Sequence, residues 1–262
     1  MKREIIVCLT LVALLFAGCG TVGFDEQGIE KAIEKQGPFD VLVDMDSENN
    51  VKVTLKEYTE DTGEWSSEEE RDMYFFGVCI GAVGALAMQT EKDLGILDVE
   101  IDREVISLSL DFVSAIAQAV GSGDLTDEEM GELVFEVYGF QLMLEESVED
   151  ETPFDVSVIL TWDDPAFNIK VNLEKILSDR HEWSNYGHDE RVGYFTGVCA
   201  GATGVLATLT NLEFNNIIMT FNNETWLLPV DFCIDIVEVS STGELTEEQI
   251  GEALFANLEQ IK

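Results

Sequence analysis

One fourteen-residue run occurs twice, and it constrains what this chain can fold into more than any other feature. Tyr74-Phe75-Phe76-Gly77-Val78-Cys79-Ile80-Gly81-Ala82-Val83-Gly84-Ala85-Leu86-Ala87 returns as Tyr194-Phe195-Thr196-Gly197-Val198-Cys199-Ala200-Gly201-Ala202-Thr203-Gly204-Val205-Leu206-Ala207, with ten of the fourteen positions identical. The same offset of 120 carries Asp111-Phe112 to Asp231-Phe232 and Gly123-Asp124-Leu125-Thr126 to Gly243-Glu244-Leu245-Thr246. Upstream, Pro38-Phe39-Asp40-Val41 returns as Pro153-Phe154-Asp155-Val156 at an offset of 115, and Glu64-Trp65-Ser66 as Glu182-Trp183-Ser184 at 118. So many matches in one order mark a tandem duplication of one domain. Each copy has an ordinary domain length, and the expected division is signal peptide 1–18, tether 19–37, first repeat 38–142, linker 143–152 and second repeat 153–262.

Each copy reads as the same α+β unit. Val41 to Asp44 and Val51 to Leu55 flank the polar Asp46-Ser47-Glu48-Asn49-Asn50 turn, a hairpin signal repeated at 156–162 and 168–173. A helix is expected over 69–89 and again over 189–209, then a second hairpin at 96–101 with 105–110 and at 216–221 with 226–230. The segment opening at Asp111 reads two ways: Ala115-Ile116-Ala117 favours helix in the first copy, Cys233-Ile234-Asp235-Ile236-Val237 strand in the second. A closing helix is marked by capping boxes, Thr126 with Glu129 and Thr246 with Gln249. The fold expected is therefore two antiparallel hairpins per copy forming a sheet, packed on a buried glycine-rich helix and a C-terminal helix.

At about 100° per residue, Gly77, Gly81 and Gly84 share one narrow stripe, with Phe75, Cys79, Val83 and Leu86 opposite. A helix with no polar face calls for burial on two sides. Its glycines sit in mid-helix, where no free amides face an anion, so a phosphate loop is not implied.

Lys2 and Arg3 precede an apolar run, Ile5 to Ala17, that ends in Phe16-Ala17-Gly18-Cys19, the layout of a secretory signal peptide. The run is shorter than the ~20 residues that span a bilayer. Small residues before a cysteine resemble the lipobox of prokaryotic lipoproteins, which implies export, cleavage and lipidation at Cys19. The chain is then expected at the outer face of the cytoplasmic membrane or on the cell surface, touching membrane by its lipid alone.

With 53 acidic against 14 basic residues, the formal charge is −39. That field repels phosphate backbones and excludes nucleic acid as a partner class. It also makes a salt-adapted fold the expectation, because added ions screen the self-repulsion.

No motif supplies a chemistry. Gly-x-Ser-x-Gly, His-Glu-x-x-His, Walker and Rossmann patterns are absent from the sequence, and no cofactor is implied. Cys79 and Cys199, at equivalent helix positions, could bridge if the two helices cross there; lacking a flanking His or Lys, they otherwise read as buried free thiols acting as small hydrophobes. His181 and His188 are the two histidines and, beside Glu182, Asp189 and Glu190, form the one place where a metal site or hydrolytic centre is worth testing. Their spacing fits no zinc signature. Asp44, Asp46 and Glu48 resemble half of a calcium loop but lack its glycine and its closing glutamate. Trp65 and Trp183, preserved in both copies, are the candidate contacts for a partner.

The order hairpin, helix, hairpin, helix, ending in Gly243-Glu244-Leu245-Thr246-Glu247-Glu248 before the last helix, resembles the layout of type III secretion-chaperone-like α+β domains. That resemblance implies protein binding and carries no catalytic residues. The reading is a non-catalytic, surface-anchored lipoprotein that binds a protein partner in the cell envelope or builds envelope structure. The alternatives are a hydrolase using loop carboxylates or the His181/His188 region, which calls for a pocket in the second copy only, and an acidic cation-binding protein.

Overall fold

The structure, a computed structural model, describes residues 23–59, 67–163, 165–176, 186–243 and 246–261. It is α+β, and the chain divides into two compact units between Phe135 and Glu136.

The first unit opens with helix α1 (Glu26–Gln36), followed by β1 (Phe39–Met45), β2 (Val51–Tyr58), helix α2 (Glu68–Ala87), β3 (Ile96–Ile101), β4 (Glu104–Ser109) and helix α3 (Leu110–Ser122). Helix α4 (Asp127–Glu151) crosses the division between the units. The second unit repeats the order as β5 (Phe154–Asp163), β6 (Ala166–Ile176), α5 (His188–Ala207), β7 (Phe214–Phe221), β8 (Glu224–Pro229), α6 (Val230–Thr242) and α7 (Glu247–Asn257), then adds β9 (Glu259–Ile261).

Each sheet joins its two hairpins through a parallel pair, β2 with β3 and β6 with β7. Parallel neighbours need a crossover, and α2 and α5 supply it. The second hairpins turn on Asp102-Arg103 and Asn222-Asn223, all four at positive φ, the backbone that lets a two-residue turn follow the strand twist. Both first hairpins carry a register shift at one equivalent place, Asp40/Val41 and Asp155/Val156. Alternate strand residues, Phe39, Val41 and Val43 or Phe154, Val156 and Val158, form the buried faces.

The segments opening at Asp111 and Asp231 are both helices. Val230, Cys233 and Ile236 are buried at helical spacing, which resolves as helix the segment whose sequence read as either strand or helix. Left-handed Gly123 and Gly243 end the two helices. These helices cross the central ones where Gly84 and Gly204 stand: a Cβ on Gly84 would lie 2.6 Å from Val113 O, and one on Gly204 2.3 Å from Cys233 O. Only glycine admits backbone that close. Both expected capping boxes form, Thr126 with Glu129 and Thr246 with Gln249.

Among the described residues, the stretches expected as tether and linker are folded. Residues 26–36 are α1, which packs on β1 and α2, and residues 143–151 continue α4. Ile29 and Ile33 are fully buried, as are Leu144 and Val148 at the offset of 115. The duplicated unit therefore begins one helix earlier than sequence identity shows.

That helix guards the sheet's edge. Gln141, Glu145 and Glu149 accept the amide hydrogens of Leu160, Val158 and Val156 at 3.0, 2.8 and 3.2 Å. Four helical residues rise about 6 Å and two strand residues slightly more, so the two ladders stay in step. Glu26 does the same for Met45 at 3.1 Å in the first unit. An edge strand so engaged is not free to pair with another chain.

Candidate functional site

In the second unit the first turn of α5, the start of β8 and the end of α7 converge around a pocket of about 280 Å³. Its walls are His188, Asp189 and Val192 from α5, Glu224 and Trp226 from β8, and Phe255 from α7. Leu258 and Gln260 close it.

Local structure explains each position. The Asn222-Asn223 turn delivers Glu224 to the first position of β8, and period-two alternation places Trp226 on the same face. The Glu224 carboxylate lies 2.8 Å from Nε2 of His188, with both side chains about half exposed. Burial covers Trp226 to 7% exposure, leaving its ring as part of the wall. Phe255 lies against α5 because position 193 is glycine: a Cβ there would stand 2.7 Å from the ring. After Asn257 the chain turns back as β9, and Gln260 pairs with Trp226 across the β8 edge.

The first copy keeps two acidic residues and the phenylalanine, as Glu69, Glu104 and Phe135, but not the imidazole, the indole or the glycine. Subtracting 120, its counterparts of His188, Val192, Glu224 and Trp226 are Glu68, Asp72, Glu104 and Ile106. Position 193 corresponds to Met73, and the chain beyond Phe135 continues as helix α4.

Among the described residues, the lining contains no hydroxyl, thiol or amine, so these offer no serine, cysteine or lysine nucleophile. It offers two carboxylates, an imidazole and two aromatic rings, a surface suited to cationic groups. Among the described residues, no group of three or more His, Cys, Asp or Glu is placed to hold a metal ion. Asp46, in the half calcium loop, instead accepts the Glu48 and Asn50 amides and the Asn50 side chain, and these bonds, led by the side-chain one, hold its carboxyl below the usual range.

Of the residues singled out from sequence, His188 lines the pocket. Cys19, Trp65, Trp183 and His181 lie outside the described residues. Cys79 and Cys199 are free and buried, as is Cys233. The pocket was missed because Trp226, Phe255 and Glu224 are scattered through the sequence. The one local signal was the divergence of His188, Gly193 and Trp226 from Glu68, Met73 and Ile106 of the first copy.

A second feature distinguishes the copies. On α5, Tyr194, Val205 and Leu209 just beyond it are 41%, 47% and 73% exposed, on the side that also carries Val198 and Ala202. In the first copy Val78 and Ala82 are fully buried, Ala85 is 2% exposed, and the counterpart of Leu209 is the polar Gln89. Among the described residues no helix is long and apolar enough to cross a membrane.

No family model, curated protein or solved structure matches the chain.

Proposed function

We propose that this chain is a non-catalytic, protein-binding module, exported and held at the outer face of the membrane by a lipid on Cys19. The observation that carries the reading is the exposed apolar side of α5. Contiguous apolar surface on a soluble unit marks a contact site. Here it appears in one copy of a duplicated fold and is buried or polar in the other. Duplication frees one copy to keep a packed helix while the other presents its equivalent outward.

The element order adds support, since it resembles the layout of secretion-chaperone-like domains that bind proteins. The charge of −39 favours a partner with a basic rim around an apolar contact, because complementary charge speeds encounter and suppresses wrong pairings.

Affinity capture of the lipid-free mature protein from its own envelope, at native salt, tests the proposal. The same partner should be lost when Val205→Glu and Leu209→Glu are combined. Both positions are exposed, so the fold should persist by circular dichroism. Capture unchanged by the double substitution would remove the α5 surface from the argument.

A further inference from the structure

We propose that the pocket between the first turn of α5 and the β8–β9 edge binds an alkylammonium group. The proposal stands on the pocket alone and does not depend on the α5 apolar side.

An alkylated ammonium has a diffuse positive charge under an apolar skin, and it is recognised by aromatic faces with carboxylates nearby. Trp226 and Phe255 provide the rings, Val192 and Leu258 the apolar wall, and Asp189 and Glu224 the negative charge. Among the described residues, the lining holds no lysine or arginine to compete for that charge. Arg191, next along α5, turns its Nε to the Tyr186 carbonyl at 3.1 Å. His188 holds the Glu224 carboxylate at 2.8 Å, which orients it at the pocket mouth. The size suits one small head group, and the whole molecule's charge of −39 raises the local concentration of any cation.

The Gly193–Phe255 contact makes the pocket a feature of this copy. Glycine at 193 lets the Phe255 ring close on α5, and the change from Ile106 to Trp226 places an indole where the first copy has an aliphatic side chain. Each change adds an aromatic or makes room for one.

The same chemistry is carried by a free organic cation and by a lysine side chain, and the test separates them. The mature chain is titrated with choline, with N-acetyl-lysine methylamide and with dimethylbutanol, the neutral carbon isostere of choline, each against sodium chloride at matched ionic strength. The readout is the indole N–H signals of the four tryptophans, with Trp226→Phe assigning one of them. Saturable movement of the Trp226 signal by choline, with a dissociation constant of about 1 mM and no response to the neutral isostere, supports a free cation. Saturation by the lysine amide instead supports a side-chain ligand.

Glu224→Gln and Phe255→Ala should each weaken binding by about tenfold. Both positions are exposed enough to leave folding intact, so they carry the test even if Trp226→Phe does not fold. Shifts no larger than those of sodium chloride, an equal response to the neutral isostere, or full binding in both variants would overturn the proposal.

Discussion

The Glu145 carboxylate accepts the Val158 amide hydrogen at 2.8 Å from a partly buried position that raises its pKa. Desolvation dominates the rise, the Val158 amide opposes it, and the charges of Glu149 and Asp155 add to it. The folded protein thus holds this proton more tightly than the unfolded chain. The group's contribution to stability is greatest below the unfolded carboxyl range and is lost as pH rises through the raised folded value. Glu145→Gln keeps the acceptor oxygen, as Gln141 does one turn earlier, and removes the charge. At pH 7 and low salt it should stabilise by about 0.5 kcal/mol, the scale of one like-charge i,i+4 pair. The gain should shrink as pH falls toward 4, near the unfolded value. Denaturant titrations at the two pH values check this, and a stability loss at pH 7 would count against the edge-guarding geometry.

Two glycines one turn apart on α5 should respond oppositely to alanine. A Cβ on Gly201 meets nothing within 4 Å, whereas one on Gly204 would lie 2.3 Å from the Cys233 carbonyl oxygen. Gly201→Ala should stabilise by up to about 1 kcal/mol through helix propensity. Gly204→Ala should cost about 1–3 kcal/mol by forcing α6 away. Urea midpoints of the pair decide it, and equal shifts would mean that α5 and α6 do not cross there.

The three thiols should be silent until the protein unfolds. Burial pushes Cys233 up to about 12 and also raises Cys79 and Cys199, with Cys233 adding to the rise at Cys199. Thiolate is the reacting form. Iodoacetamide at pH 8 should leave peptides containing Cys79, Cys199 and Cys233 unmodified in native protein and label all of them in guanidinium. Labelling of native Cys199 would place it outside the core.

Much of the fold was legible because its signals are local. Alternation around the Asp46–Asn50 turn, the capping boxes at Thr126 and Thr246, and repetition at a constant offset depend on neighbours a few residues apart. The first helix of each unit escaped because only the spacing of Ile29 and Ile33, or Leu144 and Val148, survives between copies, together with the acceptors that meet the strand edge. Periodicity of that kind is weaker than identity as a signal. Segment 233–237 stayed open between strand and helix for another reason. Its β-branched residues favour a strand, but the contact through Gly204 rewards helix, and packing outweighs propensity.

The sequence alone determined that one α+β unit is made twice around a glycine-striped helix, since the pattern is written in contiguous residues. Tertiary structure decided which copy exposes that helix, where β9 joins the sheet, and that His188, Glu224, Trp226 and Phe255 share a pocket. Those outcomes depend on residues tens of positions apart brought together by packing, and no local rule of spacing contains them.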